Sequence, residues 1–423
     1  MVRPWIRRLG LWGGPTLLLL LGWQIWDRRE EALLMQEAPR FVNRTVNDAA
    51  PLGAGAGRYY VAANVLVDFR GPGFQLLASA RDAIGQGHRP AQTVRDDLAR
   101  LAARFEPAAT LMAQAAPLPF GSMDDLGPAL DTRSQAADNA YAVVMLNRIV
   151  QGRMDLAVHD VVSRLRYLRV FDRNVGWSTG VDKVFTTASA VNDLGLVLGQ
   201  VEMTADQMTV LDDALASSLQ SDDLERVIQH HVEWLNAAFA KTWSNPSQLT
   251  PLGWPLRPLL RRQARTLMRT LADCLDVARR PWPERLTGMR QLTVTPDVGP
   301  ELLWAPEHFL AECRSDAELY ALAEVKVRSA RVALRLKRYR REHGEWPPTL
   351  DTLSDAQDQA LLDPFTGMPL IYQRRPNGFI VYSVGMDLRD DGGALARIPI
   401  PGGSTMSPDV GLAVRIHSGR ATR

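Results

Sequence analysis

The sequence predicts a mainly α-helical protein that carries an N-terminal transmembrane helix, a helical array and a small C-terminal α+β module built on an antiparallel hairpin. Three observations predict it. Apolar residues recur at helical spacing over most of residues 58–314, an uncharged segment lies between Arg8 and Asp27, and Asn377-Gly378 stands between two apolar runs near the end. The 423 residues, 46% hydrophobic and 23% charged, are enough for two or three domains with filled cores. A net charge of +2 gives no global attraction for nucleic acid or for an acidic surface.

The first element is the segment Leu9 to Trp26, which contains LLLLLG at 17–22 and has about the minimum length for crossing a bilayer core. Trp5 and Trp12 at one end, and Trp23 and Trp26 at the other, suit the two membrane interfaces. Arg3, Arg7 and Arg8 precede the segment and DRREE (27–31) follows it, so the positive-inside bias leaves the N-terminus in the cytoplasm and exports the rest. A cleaved signal peptide would need a small-residue site after the apolar run, and GWQIWDRR (22–29) offers none. The expectation is a signal anchor over 1–27 in a bacterial inner membrane, with the lipid bilayer met by residues 9–26 and the bulk in the periplasm. Cys274 and Cys313 leave two readings, a pair in an oxidising compartment or two buried thiols.

Residues 28–57 read as a linker, rich in Pro, Gly and Ala. The helical domain, 58–314, follows. Leu98, Leu101, Phe105 and Met112 give one helix face; Met154, Ala157, Val161, Leu165 and Leu168 give another; Leu224, Val227, Ile228, His231 and Leu235 give a third. Thr204 with Gln207 has capping-box spacing, and Ser221 ahead of Asp222 and Asp223 marks a further start. The stretch 141–171 breaks at Gly152 into two helices, which resembles one tetratricopeptide-type pair without that family's full signature.

Ser315 and Glu318 predict the start of a long helix that runs to about His343, with Gly344 placed to end it and Leu322, Val325, Val332, Leu336 and Tyr339 as its seam. Between Lys326 and Arg341 lie eight basic residues and no acidic one. They read as the wet side of that helix, with an anionic lipid or acidic partner as the second reading. The hairpin follows: DPFTGMPLIYQ (363–373), PNG (376–378) and FIVYSVGMD (379–387), then the acidic loop DDGG (390–393). Asn377-Gly378 predicts a type I′ turn, whose two central residues need positive φ. Residues 401–423 read as a flexible tail.

The order of a long helix, DPFTGMPLIY and GFIVYSVGMDLRDDGG over 315–400 resembles the C-terminal half of type II secretion major pseudopilins. The resemblance implies a small sheet after the helix and a calcium-binding acidic loop after the last strand. Asp387, Asp390 and Asp391 are the side-chain candidates, Asp387 matching the family best, with Ser383 adding oxygens; a solvated acidic turn is the other reading. The family's later acidic position falls in ALARIPI (394–400), which has no carboxylate. The chain also lacks the acid that a pseudopilin carries inside its apolar helix, so the resemblance does not extend to pilin-like processing or polymerisation.

One catalytic-looking pattern remains, Gly176-Trp177-Ser178-Thr179-Gly180, the G-x-S-x-G of serine hydrolases. That chemistry needs a strand turning sharply into a helix. The preceding RLRYLRVF continues a helical pattern, and the candidate partners His230, His231 or His308 with Asp193 or Asp213 carry no supporting signature. His230 and His231 are adjacent, hence about 100° apart on a helix and unable to face one metal together. Paired C-x-x-C, H-E-x-x-H and P-loop patterns do not occur. The functional expectation is therefore a membrane-anchored cell-envelope scaffold or adaptor, associated with secretion or pilus machinery. The alternative is a membrane-tethered serine hydrolase using Ser178.

Overall fold

The computed structural model describes residues 19–33, 63, 73–118, 134–168, 177–244, 253–294, 306–353, 359–395 and 409–416. They divide into two compact units, one drawn from Met1–Val46, Ile228–Arg280 and Thr287–Arg314, the other from Asn47–Val227, Pro281–Leu286 and Ser315–Arg423. The helices are α1 (Gly73–Gly85), α2 (Gln92–Ala115), α3 (Ser134–Val150), α4 (Met154–Tyr167), α5 (Trp177–Gln200), α6 (Ala205–Ser218), α7 (Asp223–Ser244), α8 (Gly253–Ala278), α9 (Glu284–Gln291) and α10 (Pro306–His343). A three-stranded antiparallel sheet, in the order β1 (Ile371–Arg375), β2 (Gly378–Ser383), β3 (Val410–Arg415), completes the second unit. Mainly α with a small terminal sheet is thus the observed class.

In the second unit α2 packs on α3, α3 on α4, and α4 on both α5 and α6, with α1 laid across α2, α3 and α5. The periodic faces explain the order. Leu98, Phe105 and Met112 of α2, and Ala157, Val161 and Leu165 of α4, are all buried. Gly152, at φ 75, makes the break between α3 and α4. Thr204 and Gln207 form the reciprocal cap of α6, each side chain taking the other residue's N–H. At the next start, by contrast, it is Asp223 Oδ2 that takes the Gln220 N–H, at 2.8 Å.

The hairpin is present, but its turn sits one residue earlier than Asn377-Gly378 predicts. Arg375 pairs with Gly378, so Pro376 and Asn377 are the central residues. The Pro376 ring fixes a negative φ, which excludes type I′, and only Gly378 takes a positive φ, 144°. The stretch read as a flexible tail supplies β3, whose Val410, Leu412 and Val414 are buried. That alternation is a period-2 signal, short enough to pass as part of an irregular terminus.

β3 is also where sheet and helices join. Its outer edge lies against α5, which is notched by two glycines one turn apart. A Cβ on Gly199 would stand 2.2 Å from the Arg415 carbonyl oxygen, and one on Gly195 would stand 2.6 Å from Leu412 Cδ1 and 3.3 Å from the Ala413 oxygen. Only bare Cα atoms let strand and helix approach so closely, and the approach covers an edge that would otherwise face solvent or another chain.

α10 begins at Pro306, nine residues before the predicted capping box, because proline fits the first helical position and Glu307 supports the first turn. Ser315 is therefore internal to the helix; the boundary expected at 314/315 coincides with a division between the two units, and one continuous helix runs through it. The end is as predicted: Gly344 has φ 82 and its N–H meets the Arg340 oxygen at 2.8 Å.

The basic stretch of α10 is not simply a wet face. Lys326 and Lys337 are 1% and 4% exposed. Lys326 Nζ donates to the Gly411 oxygen at 2.7 Å, Arg328 to the Leu362 oxygen at 2.8 Å, Lys337 to the Leu198 and Val201 oxygens at 3.0 and 2.8 Å, and Arg341 to the Met203 oxygen at 3.3 Å. Arg331 pairs with Asp212 of α6 at 2.8 Å. The last turn of α5 has carbonyls without intrahelical donors, and Lys337 fills that need.

In the first unit, the helical segment 19–33 carries Asp27, Glu30 and Glu31 against a stripe on α8. Arg261 reaches Asp27 at 2.8 Å and Glu31 at 3.1 Å, Arg265 reaches Glu30 at 2.9 Å, and Arg257 stands 3.7 Å from Asp27. The three arginines are spaced four apart and so share one helix face. Leu19 and Ile25 on the same segment are 74% and 68% exposed. None of the described helices is long and apolar enough to cross a membrane, and residues 9–18 of the expected span lie outside the described residues. So does most of the linker. Cys274 and Cys313 are both buried, and no disulfide joins them.

Gly199→Ala separates notch from ordinary helix. An unconstrained helix gains up to about 1 kcal/mol from this change. Here urea unfolding of the full chain is expected to show a loss of about 1–3 kcal/mol, the cost of overpacking.

Candidate functional site

The densest polar constellation in the second unit is built by α1, α3, α4 and α5. Arg164 of α4, 1% exposed in its side chain, donates from Nε and Nη2 to the two oxygens of Asp138 on α3, and from Nη1 to Asp193 Oδ2 on α5. Arg81 of α1 grips the same Asp193 carboxylate in a fork, Nε to Oδ1 at 2.7 Å and Nη2 to Oδ2 at 2.6 Å. Ser189, one turn before Asp193, accepts from both arginines, at 3.2 Å from Arg81 and 2.9 Å from Arg164. Two guanidinium groups and two carboxylates balance in charge. Burial works against the Asp193 charge, but Arg81 and then Arg164 outweigh it and hold the carboxyl below its ordinary value. Such forked pairs have directional strength that single-point pairs lack.

A cleft of about 450 Å³ opens beside this network, within the size range of small-molecule sites. Arg81, Ser189, Asn192, Asp193 and Lys326 supply its polar wall, and Ala78, Leu196, Leu395, Leu412 and Ala413 its apolar one. Lys326 Nζ donates to Asn192 Oδ1 at 2.9 Å as well as to the Gly411 oxygen. Among the described residues no carboxylate pairs with it, and burial brings its pKa down to about 8. Arg415 stands at the β3 end of the same cleft.

The acidic loop is ordered by its own carboxylates. Asp387 Oδ1 accepts the Arg389 N–H at 3.1 Å, and Asp390 Oδ1 accepts the Gly392 N–H at 2.8 Å and the Tyr382 hydroxyl at 2.9 Å. Asp409, fully buried, brings the carboxylate that 394–400 lacks. Its two oxygens accept the Asp391 and Gly393 N–H groups at 3.3 and 2.7 Å. Sequence reading stopped short of Asp409 because it lies beyond 400, in the presumed tail. Burial raises its pKa, and Asp390 and Asp391 add to the rise.

Ser383 is turned elsewhere. Its Oγ donates to Asp363 Oδ1 at 2.8 Å and accepts the Gly385 N–H at 3.0 Å, so the DPFTG and YSVG segments meet through one hydrogen bond. Asp363 also accepts the Phe365 N–H and the Thr366 hydroxyl, at 2.8 and 3.1 Å. Calcium needs six to eight oxygens directed at one point. Among the described residues no three His, Cys, Asp or Glu side chains are grouped to hold a metal ion. Asp387, Asp390 and Asp409 are directed to N–H or hydroxyl donors.

Of the nucleophile pattern, the backbone of Ser178 lies in the first turn of α5, while its side chain and Gly176 fall outside the described residues. The nearest described element before it is the helix α4. His308 is 70% exposed and pairs with Glu312 at 3.1 Å, His231 is buried, and Asp213 is exposed. Asp193, one of the proposed acids, is engaged by two arginines. Arg81, Asp138 and Arg164 carry no motif in the sequence, and Lys326 enters there only as the start of the basic stretch 326–341. The available signal was a charged residue among apolar neighbours on a buried helix face, as in Val325-Lys326-Val327.

Comparison with family models, with curated proteins and with solved structures finds no match to this chain.

Removing one member of the network tests its role in stability. Arg164→Met leaves Asp138 buried without its fork, and urea unfolding is expected to show a loss of about 3–5 kcal/mol. Adding Asp138→Leu removes the stranded charge and should restore more than half of that loss; no recovery would mean that Arg164 acts through packing alone.

Proposed function

We propose that this protein is a bacterial cell-envelope scaffold or adaptor, anchored in the inner membrane by residues 9–26, with its N-terminus cytoplasmic and its bulk periplasmic. Its partners on this reading are envelope proteins, including components of secretion or pilus machinery. The observation that carries the reading is the junction at 19–33. Exposed Leu19, Leu20, Leu21 and Ile25 continue the apolar segment, and one turn later Asp27, Glu30 and Glu31 are tied to Arg257, Arg261 and Arg265. A row of exposed leucines costs nothing in lipid and would be a liability in water. The ion pairs behind it would pass the anchor's orientation directly to α8.

The polar groups described in the second unit support a non-catalytic role. Asp193, Arg164, Asp363 and Asp409 each hold one element or turn to another. The pseudopilin resemblance of 315–400 is the source of the secretion partners in the proposal.

Crosslinking in intact cells tests the reading. A photo-reactive residue in place of Val210, which is 40% exposed on α6, is expected to capture envelope or secretion proteins. Adducts confined to cytosolic proteins would contradict location and role together.

A further inference from the structure

The cleft beside the ion network holds a cation that the network does not neutralise. The Arg81–Asp193–Arg164–Asp138 set is neutral as a whole, yet Lys326 adds a wholly buried ammonium to the same cavity wall. An ammonium carries three N–H groups. The described bonds of Lys326 use two, to Asn192 and Gly411, and both acceptors are neutral. A buried cation without a counter-charge is costly, and the cost is relieved when an anion is supplied.

Arg81 is incompletely used as well. Its Nε and Nη2 are committed to Asp193 and Ser189, its side chain is 26% exposed, and the described bonds leave Nη1 with donors to spare. The residues that Arg81 and Lys326 hold, Ser189, Asn192 and Asp193, fall within about one turn of α5, so the two cations converge on one stretch of cleft wall. Leu196 and Leu412 line the apolar side.

We propose that this cleft binds a small organic anion whose acidic oxygens accept from Lys326 Nζ and Arg81 Nη1 and whose carbon skeleton rests on Leu196 and Leu412. The chemistry is that of a carboxylate or a phosphate monoester. Arg415 extends the same attraction at the mouth. Asp82 sits on the α1 wall, and together with the paired Asp193 it limits the negative charge that the cleft takes up. The inference concerns the second unit alone and holds whether or not the adaptor reading does.

The chain's own titration supplies a signature. The groups facing Lys326 across the cleft are Arg81 and Asp82 on α1, Asp193 on α5 and Arg415 on β3. With its pKa near 8 in the folded chain, Lys326 is largely uncharged by about pH 9, and an anion bound there must draw a proton onto it.

The experiment is isothermal titration of the purified full-length chain with butanoate and, separately, with inorganic phosphate, near pH 7 and near pH 9. Saturable binding of at least one probe is expected, with proton uptake, read from buffers of different ionisation enthalpy, appearing only at the higher pH. Binding of butanoate alone assigns the carboxylate class, and binding of phosphate alone the phosphate class. Lys326→Met, which fills the same space without charge, should weaken binding at least about tenfold, the equivalent of about 1.4 kcal/mol. Arg100→Gln, on the exposed face of α2, should leave it unchanged. No saturable heat with either probe, or equal affinity in a folded Lys326→Met variant, would overturn the proposal. The titration of the unaltered chain decides the matter even if the variant does not fold.

Discussion

The second unit depends on a set of cations directed from one helix into the backbone of its neighbours. α10 sends Lys326 to β3, Arg328 to the turn before β1, Lys337 to the end of α5 and Arg341 to the segment after it, in each case to a main-chain carbonyl. Carbonyls at helix ends and strand edges must find donors once they leave water. Hydrogen bonds with a charged partner contribute about 1.5–3 kcal/mol each, more than neutral ones. One long helix thereby fixes the relative positions of α5, α6 and the sheet. The glycine notch of α5 belongs to the same design, since Lys326 reaches the Gly411 carbonyl on the very edge that packs against Gly195 and Gly199.

This arrangement also explains why residues 409–416 are integral to their unit. β3 comes from the last part of the chain, pairs along the whole of β2, and is met from the other side by α5 and Lys326. The acidic loop is in turn closed by Asp409, the residue that leads into β3. Loop, strand and helix are therefore one cooperative piece of structure.

Much of the helical order was legible because it is local. Leu98, Phe105 and Met112 sit on one face by spacing alone, Thr204 and Gln207 need only each other, and Gly344 ends α10 for reasons confined to one turn. What was not legible is long-range. Lys326 and Lys337 look like a solvated face until the carbonyls of residues 411, 198 and 201 arrive from elsewhere in the chain. The turn falls at 376–377 because the Pro376 ring overrides the Asn-Gly signal that follows it. The site was the least legible part: Arg81 and Arg164 are 83 positions apart and share Asp193 only because α1 and α4 both pack on α5. Carboxylates close together in sequence suggest a site, whereas Lys326 reads as one more member of the basic stretch 326–341.

The claim that inward cations make α5, α10 and β3 a single unit is tested most directly by native-state hydrogen exchange. The account predicts that slowly exchanging amides in α5, the 326–341 part of α10 and β3 open with one shared free energy, and that Lys337→Met lowers it by the same amount in all three. Exchange of β3 at an independent, lower free energy, unmoved by Lys337→Met, would contradict it.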